Sequence, residues 1–225
     1  MNGGNKLTQF HLKLEQYSES VWPEGLLQWV ESASQFARSF WDRLPQRPHP
    51  EWTECDYFEV AQALLALQAW QAKQNCWPAE NRFLECGCGF AAVSGIAQFI
   101  GYQAIGVESE LILVQAAQKC LATLPSQIAK PEIWNGNFLP EGAVELAQSD
   151  DPRVSLKCEL PAVYELQRSS FASFDAVFAY AWPGEEFFLR SVFREFARPF
   201  ACLVLYRGPN QIEFYQKQIG APESG

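Results

Sequence analysis

Apolar residues recur at helical spacing through the first quarter of the chain. Leu12, Leu14, Tyr17, Val21, Trp22, Leu26, Leu27, Trp29, Val30, Phe36, Phe40 and Trp41 predict two short amphipathic helices over 6–44. Pro23 suits the opening turn of the second. Pro45, Pro48 and Pro50 then mark a loop that no helix can cross. Asp56 is a good N-cap for a helix over 57–72, with Phe58, Val60, Ala61, Leu64, Leu65 and Leu67 as its apolar stripe.

From residue 82 the period alternates between two and 3.6. Strands are expected at 82–85, 103–107, 132–134, 174–180 and 200–206, with an edge strand at 212–215. Helices are expected between them at 90–100, 111–124 and 185–196. Residues 140–170 lack clear periodicity and read as a helix plus an irregular insertion. Strand–helix alternation of this kind predicts an α/β fold, a Rossmann-like three-layer sandwich around a mostly parallel sheet, with an N-terminal helical extension. The expected division is an arm or lid over 1–55 and the α/β domain over 56–225.

Composition narrows the function classes. The 225 residues are 48% hydrophobic and 19% charged, enough to bury a core and too apolar for a disordered chain. A net charge of −9, with no run of Lys or Arg, repels phosphate backbones and makes nucleic acid a poor match as partner. Seven Cys without a secretory leader point to free thiols in a reducing cytoplasm. Cys86 and Cys88 stand one residue apart, which is not a zinc-ligand spacing, so they read as packing residues and no metal is expected. No apolar run approaches the roughly 20 residues that span a bilayer.

The chemistry gathers at Glu85-Cys86-Gly87-Cys88-Gly89, where a strand becomes a helix. Gly87 and Gly89 let the backbone bend sharply and approach a ligand. About 20 residues on, at the end of the next strand, Glu108 stands where an acid accepts hydrogen bonds from ribose hydroxyls. Either a dinucleotide or another adenosine cofactor suits these features. Glu85, directly before the glycines, would repel a pyrophosphate and suits a cationic amino group better.

In these residues the chain resembles the class I S-adenosylmethionine-dependent methyltransferases, over about residues 56–215. The resemblance implies S-adenosyl-L-methionine as cofactor, held by Glu85, Gly87, Gly89 and Glu108, with Asn137 and Phe138 at the adenine. It implies methyl transfer to a small molecule or a protein side chain. Two positions depart from the pattern: Ala91 stands for a third glycine and Asn137 for an acid. Only one strand is expected after Arg207-Gly208, so the closing hairpin of that family is reduced. On the acceptor side the loop Tyr180-Ala181-Trp182-Pro183 has aromatics and a proline, but no Asn or Asp before the proline. Tyr180 and Trp182 are the candidate catalytic residues, by orienting the acceptor or caging an amine. Glu185 and Glu186 either take a proton or simply favour a helix start. A non-catalytic interaction module on this fold is an alternative, and a nicotinamide-dependent oxidoreductase a weaker one.

Overall fold

The computed structural model describes residues 6–43, 54–74, 80–147 and 159–219. The Pro45–Pro50 loop lies outside them. The strands are β1 (Lys6–Phe10), β2 (Arg82–Cys86), β3 (Gln103–Glu108), β4 (Glu132–Asn135), β5 (Ala176–Tyr180), β6 (Cys202–Tyr206) and β7 (Ile212–Gln218). The helices are α1 (Leu26–Asp42), α2 (Tyr57–Lys73), α3 (Ala92–Ile100), α4 (Leu111–Leu121) and α5 (Glu186–Phe196). The strands form one sheet in the order β1-β7-β6-β5-β2-β3-β4. β4, β3, β2, β5 and β6 run parallel, and β7 is antiparallel to both its neighbours. This is the doubly wound, Rossmann-like arrangement, and its order reverses at β2.

Helices α1 to α4 cover one face of the sheet, through a core that includes Leu64, Phe83, Ile96, Ala117 and Phe178. Helix α5 and the turns of 138–147 and 159–174 cover the other, around Leu84, Val107, Phe174, Val177 and Phe193. Side chains alternate between these cores as the pleat requires. Phe83 and Phe178 enter the first and Leu84 and Val177 the second. Among the described residues no helix is long and apolar enough to cross a membrane.

The N-terminal stretch differs from its pattern. Its first segment is strand β1 followed by two short 3-10 turns, Glu15–Tyr17 and Glu19–Val21, instead of a helix. Pairing with β7 supplies β1 with hydrogen bonds that a lone segment lacks, and the Phe10 ring stacks on Trp70 of α2 at 4.3 Å. The place left by the reduced closing hairpin is thus filled from the other end of the chain. Helix α1 does form, starting three residues after Pro23. It buries Leu26, Trp29, Val30, Ala33, Ala37 and Trp41, spaced by three and four along one stripe. Asp56 caps α2 as expected, accepting from the Phe58 and Glu59 N–H groups at 3.0 and 3.1 Å. Of 138–170, the described residues carry turns, the isolated bridge of Asn137 to Ala162 and one 3-10 segment, Ala143–Leu146, and residues 148–158 of the stretch where a helix is expected lie outside them.

Helices α1 and α3 cross closely because Gly95 has no side chain. A Cβ there would stand 2.4 to 2.8 Å from three atoms of the Trp29 indole, itself buried. Gly95→Ala should therefore destabilise the protein by about 1–3 kcal/mol. That exceeds the roughly 1 kcal/mol of helix propensity gained. Urea unfolding checks this, and adding Trp29→Leu to the same chain should recover part of the loss.

Candidate functional site

Ligands of open α/β sheets lie beyond the carboxyl ends of the strands, where the order reverses. Here that point lies between β2 and its two parallel neighbours, β3 and β5. The β2–α3 turn runs through Gly87 at φ +66° and Gly89 at +53°, left-handed conformations that glycine adopts freely. Ala91 follows at φ +57° and is the N-cap of α3, not a residue of its opening helical turn. The left-handed position costs an alanine about 1–2 kcal/mol. A glycine there would relieve it, and Ala91→Gly should be neutral or stabilising by thermal melting.

Glu85 is placed differently from the free charge expected at the mouth of the bend. It is buried on the α1–α4 face, under the first turn of α3. Its Oε2 accepts from the Ser94 backbone N–H at 2.7 Å and from the Ser94 hydroxyl at 2.6 Å. Burial pushes its carboxyl up to about 8, against these hydrogen bonds, which pull it down. Ser94 escaped the sequence reading. Its signal was a lone polar residue in the apolar run 92–97, at the third helical position.

Glu108 ends β3 and is also buried. One carboxylate oxygen accepts from the Gly89 N–H at 2.9 Å and the other from the Glu110 N–H at 2.9 Å. The acid and the glycine turn, 19 residues apart in sequence, therefore meet at one point. Burial raises its carboxyl above the usual range, and these N–H groups oppose the rise. Cys86 and Cys88 are buried beside the turn with thiols pushed well above their usual value by burial.

Asn137 is a loop tie. Its amide oxygen accepts from the Leu139 N–H at 2.9 Å and its amide nitrogen donates to the Leu160 carbonyl at 3.0 Å. Phe138 is half-buried, and its carbonyl accepts from the Tyr164 hydroxyl. Tyr180 is half-buried at the end of β5, its ring edge-on to Tyr206 at 4.9 Å. Burial raises its hydroxyl above the ordinary phenol value. Trp182 is half-buried, and its backbone N–H donates to Glu185. Glu186 accepts from the Gly184 N–H at 2.6 Å and pairs with Arg207 at 3.1 Å. Both acids thus serve the start of α5.

The N-terminal helices approach this edge through aromatic side chains. Phe36, Phe40 and Trp41 of α1 set their rings around Phe90, directly after the glycine turn, with centroids 5.1 to 5.8 Å away. Before α2, the Asp56 N–H donates to the Tyr206 hydroxyl at 3.0 Å, across 150 residues of chain.

With this geometry the chain is similar to several solved methyltransferases. One is an RNA methyltransferase from Salinibacter ruber in complex with S-adenosyl-L-homocysteine, at 15% identity and a TM-score of 0.46, over 79% of this chain and 98% of that one. Another is an O-methyltransferase from Bacillus cereus, at 13% identity and 0.46, over 86% and 74%. A third is a precorrin-6y C5,15-methyltransferase from Geobacter metallireducens, at 14% identity and 0.38, over 62% and 60%. No family model and no curated protein sequence matches the chain.

A carboxyl held above its unfolded value stabilises the fold while protonated, and that stability is lost as pH rises through the folded value. Glu85 titrates near 4.3 when unfolded. Stability should therefore decline from about pH 5 toward pH 8, where Glu85 titrates in the folded protein. Urea unfolding across this range should show a shallower decline for Glu85→Gln.

Proposed function

We propose that the chain is an S-adenosylmethionine-dependent methyltransferase acting on a small molecule or a protein side chain. One observation carries the choice of cofactor. A dinucleotide lays its pyrophosphate on the N–H groups that open the first crossover helix. In this protein one of those groups, the Ser94 N–H, is already bonded to Glu85. An anion there would have to displace a buried carboxyl, so the nicotinamide alternative loses its anchor. An adenosine cofactor without a pyrophosphate needs only the acid at the end of β3 and the backbone of the bend.

The residues fit that cofactor as follows. Glu108 would exchange the Gly89 N–H for the ribose hydroxyls, for which its ionised carboxylate is an acceptor on both oxygens. Gly87 and Gly89 leave the bend open to the ligand's chain. Asn137 and Phe138 would flank the adenine, Asn137 through the second lone pair of its amide oxygen. Bound S-adenosylmethionine supplies a methyl group already activated by its sulfonium. The protein's part is alignment and the exclusion of water, and no dedicated base is obligatory. Tyr180 and Trp182 would line the acceptor side. With its phenol held protonated, Tyr180 acts as a hydrogen-bond donor that orients the acceptor. Residues 1–55 would serve as the arm beside this opening, through the rings that α1 packs on Phe90. The described cysteines are free thiols and suit a reducing compartment such as the cytoplasm.

Calorimetry tests the proposal. S-adenosylmethionine and S-adenosylhomocysteine should bind saturably, and NAD should give no heat. Glu108→Ala should weaken both ligands at least tenfold, since hydrogen bonds to a charged group contribute about 1.5–3 kcal/mol. Melting should confirm that the variant is folded. Absence of binding by both ligands at millimolar concentration would overturn the proposal.

A further inference from the structure

The turn from β3 into α4 holds Glu108 by both carboxylate oxygens. Oε2 accepts from the Gly89 N–H and Oε1 from the Glu110 N–H, each at 2.9 Å. The first bond is the one that a ribose would replace. The second has to survive binding if the carboxylate is to stay aimed. It depends on how the peptide unit between Ser109 and Glu110 is turned. That unit is planar and carries the Glu110 N–H on one side and the Ser109 carbonyl on the other, so whatever grips the carbonyl also aims the N–H.

Asn135 grips it. This residue ends β4 and pairs with Glu108 of β3. Its amide nitrogen donates to the Glu108 carbonyl at 2.9 Å and to the Ser109 carbonyl at 3.1 Å. The Gly136 N–H reaches the Glu108 carbonyl too, at 3.0 Å. Two successive peptide units are thus held from the next strand, and the second of them presents its N–H to the carboxylate. The amide suits the place. Two carbonyl oxygens face it and its NH2 group has a hydrogen for each, whereas a carboxylate of the same shape would set oxygen against oxygen. Asn135 is exposed, so solvent can satisfy its amide and burial does not explain the arrangement.

We infer that Asn135 is a positioning residue of the cofactor site, acting through Glu108 to aim the carboxylate that receives the ribose hydroxyls. The assignment rests on the cofactor proposed above. Without Asn135 the peptide unit between Ser109 and Glu110 is free to turn and the bond to Oε1 loosens. Glu108 then gains conformations that the ligand has to freeze out on binding. Asn135 itself contacts the turn and not the ligand, so its loss matters only while Glu108 is present to be aimed.

The test is calorimetry on the full chain with S-adenosylhomocysteine, comparing wild type, Asn135→Ala, Asn135→Asp, Glu108→Ala and the double variant of Asn135→Ala with Glu108→Ala. Thermal melting checks that each is folded. Asn135→Ala should weaken binding about three- to tenfold, and Asn135→Asp at least as much. The double variant should bind within about twofold of Glu108→Ala alone, because nothing is left to aim. A merely structural loosening of the site would instead multiply with the loss of Glu108, and that result overturns the assignment. Binding by Asn135→Ala or Asn135→Asp within about twofold of wild type overturns it as well. If wild type does not bind S-adenosylhomocysteine, the cofactor proposal itself falls, and the assignment with it.

Discussion

The bond between Glu85 and the first turn of α3 organises this molecule. A buried carboxyl is tolerable only if its oxygens find donors, and a helix start has N–H groups with no partner of their own. Placing one against the other satisfies both. It also ties the central strand of the sheet to the helix that follows it, which fixes the bend between them. That bend receives Glu108 from the neighbouring strand. One local interaction thereby shapes the crevice and sets a carboxyl at the Ser94 N–H of the helix start.

The second constraint is the route of the chain before the central strand. β1 lies at the far edge of the sheet, and β2 at its middle. The segment between must cross one face, and it does so as α1 and α2. Gly95 lets Trp29 of α1 settle onto α3. The aromatic side chains further along α1 then surround Phe90. The chain returns over the carboxyl edge just before α2, where Tyr206 holds it. Completion of the sheet from the N-terminus and the packing of α1 on Phe90 are in this way parts of a single path.

Periodicity in the sequence was enough for the α/β alternation, for β2 to β7 within a few residues, for the Asp56 cap and for the glycine bend. These depend on neighbours in the chain, whose spacing is set by helix and strand geometry. The β1 strand was not legible, because its only reason to be extended is a partner more than 200 residues away. Of the stretch 140–170, read as a helix plus an irregular insertion, the described residues gain their shape from ties such as Asn137 to Leu160.

The candidate site divides along the same line. The sequence by itself determined which groups stand at the strand ends: Glu85, the glycines, Glu108 and Tyr180. What each group is engaged with was decided only in three dimensions. Glu85 read as an available charge and Glu186 as either a proton acceptor or a helix-start residue, and folding commits them to Ser94 and to Arg207. Spacing along a chain specifies direction and alternation, whereas the partner of a buried charge is set by whichever distant groups share its low-dielectric surroundings.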